Sequence, residues 1–148
     1  MSSEHGARLE WERGERGFGY EEYSRSHRVT FGTGTGMTMS AAHEYRGDPA
    51  LPNPEELLVA ALSSCHMLTF LAVCAKKKLV VDRYEDAAVG VLERPPGKRM
   101  QVTKVTLRPR VTFAPGVTVD EALLAELHHQ AHQGCFIANS VTTEVVVE

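Results

Sequence analysis

The stretch NPEELLVAALSSCHMLTFLAVCAKKK, residues 53–78, decides the fold because it predicts one long helix in the middle of the chain. Asn53 is a favourable N-cap residue, and Pro54 is well suited to the first helical turn. Glu55 and Glu56 at the start and three lysines at the end match the helix dipole. The segment between them is apolar nearly all round. We therefore expect this helix to be buried on most faces, inside the domain or beneath another subunit.

Strand patterns lie on both sides of this helix. Residues 8–41 contain short runs of aromatic and β-branched residues separated by glycine-rich breaks, which predicts a meander of hairpins. Residues 87–115 are rich in valine, leucine and threonine, and they predict two long strands joined near RPPGKR. Neither region shows an internal repeat or a linker.

A second helix is predicted over residues 118–134, TVDEALLAELHHQAHQG. Thr118 and Glu121 have the spacing of a capping box, and Gly134 is a suitable C-terminal stop. Residues 140–148 predict a last strand. The order strands, helix, strands, helix, strand predicts one α+β domain over residues 1–148.

Composition limits the classes of function. The chain has 148 residues, is 43% hydrophobic and has a net charge of −3, which is typical of a globular protein without strong attraction to nucleic acid or anionic membranes. The first 17 residues lack the apolar core of a secretory signal, and no run of 18 apolar residues occurs. We therefore expect a cytoplasmic protein without a membrane span. Three cysteines, an odd number, argue against a disulfide framework.

The cysteines are the main candidates for chemistry. Cys65 lies in the apolar part of the long helix, where it is either a packed core thiol or a nucleophile. Cys74 is about 180° away around the same helix, which favours a core position. Cys135 follows Gly134 at the exit of the second helix. A peroxidatic and a resolving cysteine require two such positions, although two core cysteines would show the same spacing.

Other motifs offer weaker alternatives. His128 and His132 are four residues apart and, with Cys135, form a possible zinc ligand set. The sequence lacks H-E-x-x-H and CxxC, so a solvated polar helix face is the favoured interpretation. It also lacks a dinucleotide-binding fingerprint at a strand–helix turn, a P-loop and G-x-S-x-G. We therefore expect neither a cofactor nor a metal.

The combination of NPEELLVAALSSCHM with AHQGCFIANS resembles the OsmC/Ohr family, the osmotically inducible and organic hydroperoxide resistance proteins. The resemblance extends from about Trp11 to the last strand. It implies an intertwined α+β homodimer with antiparallel sheets and two long buried central helices. It also implies reduction of organic hydroperoxides by two cysteines in oxidative-stress defence.

The resemblance assigns roles by position. Cys65 matches the family's peroxidatic cysteine and Cys135 its resolving cysteine. Glu55, the E of N-P-E, matches the catalytic glutamate, which would hold an activating arginine in a bidentate pair. Arg25 lies at about the right distance before Glu55 to be that arginine. Its rivals are Arg28 and Arg46.

The match is to a divergent branch of the family. Phe136 follows Cys135, whereas many members have Cys-Pro at this point. The resemblance implies an organic hydroperoxide as substrate and a dithiol, such as a lipoylated protein, as reductant. The alternative function is a small-molecule-binding or stress-associated protein of the same fold without efficient turnover.

Overall fold

The computed structural model describes residues 1–148, which divide into two compact units, residues 1–57 and 58–148. The first unit contains one antiparallel sheet of three strands in the order β1-β2-β3. These strands are β1 (Ala7–Glu10), β2 (His27–Phe31) and β3 (Gly36–Met39). Val29 and Met39 are its buried apolar side chains.

The meander predicted over residues 8–41 is only partly correct. Residues 18–24, FGYEEYS, form turns instead of a strand, with a hydrogen bond from the backbone N–H of Glu22 to the carbonyl of Gly19 (2.9 Å). The aromatic side chains here pack on one another. The ring of Phe18 lies 5.1 Å from that of Tyr23 and 6.0 Å from that of Trp11. This local cluster explains the aromatic content that the pattern had assigned to a strand.

The long helix is present as α1 (Pro54–Lys76). Asn53 caps it as predicted, because its side-chain oxygen accepts from the backbone N–H of Glu56 (2.9 Å). The amide of Asn53 also donates to the carboxylate of Glu56 (2.9 Å). The first bond satisfies one backbone N–H that the helix N-terminus would leave unpaired, and the second joins the two side chains.

Within the single chain, α1 buries one narrow stripe formed by Leu62, His66, Phe70 and Cys74. Leu68, on another face, is 60% exposed. By length and composition alone α1 could cross a membrane, but core helices of soluble proteins meet the same criterion. In this chain, 22% of the most apolar 18-residue window of α1 is buried. Much of its apolar surface is therefore not covered by this chain.

The second unit contains two small sheets beside its helices. One pairs β4 (Val81–Asp86) with β7 (Pro109–Phe113), and the other has the order β5 (Val89–Glu93), β6 (Gln101–Leu107), β8 (Glu144–Val147). All pairs are antiparallel except β6 with β8, which is parallel. The predicted last strand is thus confirmed as β8.

The prediction of two long strands over residues 87–115 is wrong, because three strands occupy that range. The chain leaves β6 at Arg108, whose backbone N–H donates to the side-chain carboxylate of Asp86 (2.7 Å) instead of to a backbone carbonyl of a neighbouring strand. Pro109 then starts β7 in the other sheet. The Asp86 carboxylate therefore accepts the hydrogen bond from the Arg108 N–H that a backbone carbonyl would accept in a continuous β-strand.

The second helix is α2 (Glu121–Gly134), and it ends at Gly134 as predicted. The predicted capping box at Thr118 is wrong. Asp120 is the N-cap, and its carboxylate accepts from the backbone N–H of Leu123 (2.8 Å). Asp and Thr are both favourable caps, and here the residue adjacent to the first helical turn takes the position.

Candidate active site

The structure places Cys65 and Cys135 side by side in the second unit. Cys65 is half-buried near the middle of α1, and Cys135 is the first residue after α2 and is 1% exposed. The Cys135 thiol lies within interaction range of the Cys65 thiol, and both are free. Two thiols that are 70 positions apart in the sequence thus share one site.

Close approach of the two helices accounts for this arrangement. A Cβ atom on Gly134 would lie 3.0 Å from Cγ2 of Thr69, so the end of α2 comes nearly into contact with α1. The hydroxyl of Thr69 donates to the carbonyl of Cys65 (2.8 Å), and the methyl carbon of Thr69 is the atom nearest to that Cβ position on Gly134. Glycine at the helix end therefore permits the approach that delivers Cys135 to Cys65.

The surroundings of Cys135 keep its thiol protonated. Burial raises the pKa of Cys135, and the neighbouring Cys65 raises it further. The backbone N–H of Ala138, which donates to the Cys135 sulfur (3.4 Å), acts in the opposite direction. At neutral pH Cys135 is therefore a thiol and not a thiolate.

Cys74 lies outside this pair. It is 1% exposed and packs with Phe70, Leu127 and Ala131 in a core cluster of the second unit. Burial raises the pKa of its thiol. The prediction that Cys74 is a core residue is confirmed.

Arg25 belongs to the first unit, where two tyrosines hold it. Its guanidinium donates to the carbonyl of Tyr23 (2.6 Å) and to the carbonyl of Tyr20. The guanidinium carbon also lies 3.7 Å from the centre of the Tyr23 ring. Arg25 is therefore fixed in one position by hydrogen bonds and cation–π contact.

The surface around Arg25 is mixed in polarity. An apolar groove of about 540 Å³ in the first unit has Arg25 in its wall beside Leu9, Trp11 and Phe18. Arg25 also lines a second, polar pocket of about 570 Å³, together with Arg46 and Asp48 among others. The guanidinium thus lies where an apolar and a polar surface meet.

The two rival arginines have other surroundings. Arg46 forms an ion pair with Glu21 (3.0 Å). Arg28 is exposed on β2, where its guanidinium lies over Gly36 of the neighbouring strand.

Glu55 is half-buried in the first turn of α1, and one of its carboxylate oxygens is buried without a hydrogen-bond partner. The expected bidentate pair between Glu55 and an arginine is not formed. Arg25 donates to backbone carbonyls and Arg46 pairs with Glu21. Glu55 therefore has an unused hydrogen-bond acceptor. Because this oxygen is buried, the missing hydrogen bond costs free energy.

The histidines differ most from the sequence-based expectation. The sequence favours a solvated helix face for His128, but the structure buries this side chain. The ring of Phe70 stacks on it at 4.4 Å, and its Nδ1 lies 3.0 Å from Nε2 of His66. No three His, Cys, Asp or Glu side chains are grouped closely enough to hold a metal ion. The alternative zinc site of His128, His132 and Cys135 is therefore not assembled.

Comparisons with known proteins agree on one family. The family model described as OsmC-like protein matches residues 47–148. An OsmC-like protein of unknown function from Vibrio cholerae is 44% identical, with a TM-score of 0.94 over 99% of each chain. No curated protein matches the chain.

More distant structures share the fold. An organic hydroperoxide resistance protein from Legionella pneumophila is 18% identical, with a TM-score of 0.71 over 99% of this chain and 94% of its own. The organic hydroperoxide resistance protein of Bacillus subtilis is 18% identical, with a TM-score of 0.66 over 97% and 96%. The predicted α+β fold of the OsmC/Ohr type is confirmed. The chain belongs to the OsmC family.

Proposed function

We propose that this protein is a thiol peroxidase that reduces organic hydroperoxides in oxidative-stress defence, with Cys65 as the peroxidatic and Cys135 as the resolving cysteine. The observation that carries the proposal is the contact between the two thiols. In agreement, two structures that share the fold are organic hydroperoxide resistance proteins.

The proposed cycle has three steps. The Cys65 thiolate attacks one oxygen of the hydroperoxide, the O–O bond breaks, and the alcohol leaves after taking up a proton. Cys65 is then a sulfenic acid. The Cys135 sulfur attacks the Cys65 sulfur, a disulfide forms, and water leaves. A dithiol finally reduces the disulfide and is itself oxidised.

Burial supports the division of roles between the cysteines. Cys65 is partly accessible, whereas Cys135 is 1% exposed and has a raised pKa. A thiolate is the nucleophile in this chemistry, so a protonated and buried Cys135 is a poor first reactant. It remains available for the sulfenic acid that forms beside it.

The substrate class and the reductant rest on additional arguments. The apolar residues of α1 around Cys65 favour an alkyl or aryl hydroperoxide, because each buried CH₂ contributes about 0.8 kcal/mol. The resemblance to the family assigns Arg25 and Glu55 to activation of Cys65. It also implies a lipoylated protein as the reductant. Faster turnover with dihydrolipoamide than with monothiols would support this reductant.

Replacement of Cys65 tests the function. We expect Cys65→Ser protein to lose hydroperoxide consumption with cumene hydroperoxide and a dithiol, because the nucleophile is gone. Cys135→Ser protein should complete one turnover and then accumulate oxidised Cys65. The matched control is Cys74→Ala, which removes a core thiol and should retain activity.

The outcome also separates the two candidate functions. Turnover by Cys65→Ser protein at the wild-type rate would exclude the peroxidase mechanism. A wild-type protein that consumes no hydroperoxide would favour the alternative, a small-molecule-binding protein of the same fold.

A further inference from the structure

The His66–His128 contact is a buried polar pair between α1 and α2. His66 is 1% exposed, and its Nε2 lies 3.0 Å from Nδ1 of His128. The two rings are nearly parallel, with an angle of 11° between them. Phe70 stacks on one face of His128. The pair is thus shielded from water and held in one geometry.

The hydrogen bond of this pair depends on protonation. A neutral imidazole has one donor and one acceptor nitrogen, so two neutral rings can share one hydrogen bond. Two imidazolium rings have no acceptor. Burial, with His128 and His132 nearby, lowers the pKa of His66 to about 4, and Asp86 acts in the opposite direction. Burial also lowers the pKa of His128. Both rings are therefore neutral at pH 7.

The other groups that face the pair do not replace this bond. On β4, Asp86 accepts from the Ser63 hydroxyl and from the backbone N–H of Arg108. Tyr84 has a buried hydroxyl without a partner, and burial raises its pKa. On α2, Nδ1 of His132 is also buried without a partner. The bond to His128 is the one hydrogen bond that the His66 side chain makes.

The pair and the two thiols connect the same two helices. On α1, His66 is next to Cys65. On α2, His128 precedes Cys135 by seven residues, about two turns. The two helices also share the apolar cluster of Phe70, Cys74, Leu127 and Ala131. Among these contacts, the histidine pair is the one made by a hydrogen bond between side chains of α1 and α2. Loss of this hydrogen bond would therefore loosen the helix pair that brings the two thiols together.

We propose that His66 and His128 are positioning residues, whose hydrogen bond holds Cys135 beside Cys65 for the disulfide-forming step. This inference rests on the proposed peroxidase function. In that cycle the Cys65 sulfenic acid has two fates. Cys135 converts it to a disulfide with loss of water, or a second hydroperoxide oxidises it to a sulfinic acid and leaves as alcohol. The position of Cys135 determines which reaction predominates.

The test measures this partition by mass spectrometry in a Cys74→Ala background, where the only possible intramolecular disulfide joins Cys65 to Cys135. His128→Leu protein should form the disulfide about tenfold more slowly, the effect of losing one hydrogen bond. It should accumulate sulfinic Cys65. The double variant His66→Gln/His128→Gln restores a hydrogen bond between two amides and should recover disulfide formation.

A pH series tests the dependence on protonation, and a core variant separates positioning from general stability. From pH 6 to pH 4, disulfide yield should fall in the wild type relative to the Gln/Gln variant, because amides do not titrate in this range. Leu127→Ala protein is the control for a loosened core, since Leu127 is buried in the neighbouring cluster without a polar role. Equal sulfinic accumulation in Leu127→Ala and His128→Leu proteins would overturn the proposal.

A second oxidant distinguishes failure of this inference from failure of the proposed function. Diamide converts two neighbouring thiols to a disulfide and is itself reduced to the hydrazine, so it reports the Cys65–Cys135 contact without any peroxide. Slow cross-linking by diamide in His128→Leu protein and rescue in the Gln/Gln variant support the positioning role, even if hydroperoxide turnover is absent. Wild-type cross-linking rates in His128→Leu protein would overturn it.

Discussion

At the scale of single residues, Arg25 tests how far the family's chemistry applies to this chain. Its guanidinium is fixed by Tyr20 and Tyr23. Arg25→Lys retains the charge but loses the planar donor geometry, so we expect kcat/KM for cumene hydroperoxide to fall by about ten- to a hundredfold, the effect of one charge-assisted hydrogen bond. Arg28→Lys and Arg46→Lys are the matched controls. A larger loss with either control would identify that arginine as the activating one.

Cys65 and Cys135 show what a sequence can predict at this scale. Their helix positions follow from periodicity and from the glycine stop, and Cys74 was correctly assigned to the core. Their contact does not follow, because it depends on how closely α2 approaches α1. His66 could have been found, since it lies four residues after Leu62 and four before Phe70 on the buried stripe.

At the scale of elements, the two helices were predicted more accurately than the strands. A cap, a dipole pattern and a glycine stop are local signals, and they located α1 and α2 closely. The break at Arg108 depends on a hydrogen bond to Asp86, which is 22 positions earlier. Such a contact leaves no periodic signal, which is why the strands between residues 87 and 115 were predicted incorrectly.

The histidine pair between α1 and α2 predicts a loss of stability in acid. The pKa of His66 is lowered from 6.5 to about 4 in the folded protein. Below pH 6.5 the unfolded chain therefore binds a proton that the folded protein rejects, and the free energy of unfolding falls as the pH approaches 4. The loss should be about 3 kcal/mol.

Urea denaturation at half-unit steps from pH 7 to pH 4 measures this slope. His66→Gln protein should show a smaller decrease in the free energy of unfolding than wild type, because its side chain does not titrate. His43→Gln is the control for a histidine outside the second unit. Identical slopes in wild-type and His66→Gln proteins would contradict the buried, neutral state of His66.

At the scale of the whole molecule, the fold can be inferred from the sequence, whereas the assembly is inferred from the surfaces of the folded chain. The α+β class follows from the order of elements, and the family follows from two short motifs that the comparisons confirm. Assembly depends on surfaces. The apolar residues that this chain leaves exposed on α1, such as Leu68, are the reason to propose a homodimer in which a second copy covers the helix.

The homodimer proposal predicts a specific effect of charge on that surface. The wild-type protein should have twice the 16.3 kDa mass of one chain by light scattering after size-exclusion chromatography. Leu68→Glu places a charge on the exposed face of α1 and should produce a monomer, because burying an unpaired carboxylate opposes association. Val80→Glu is the matched control, since Val80 is similarly exposed but lies beyond the end of α1. A monomeric wild-type protein would refute the dimer, and dissociation by Val80→Glu but not by Leu68→Glu would place the interface away from this helix.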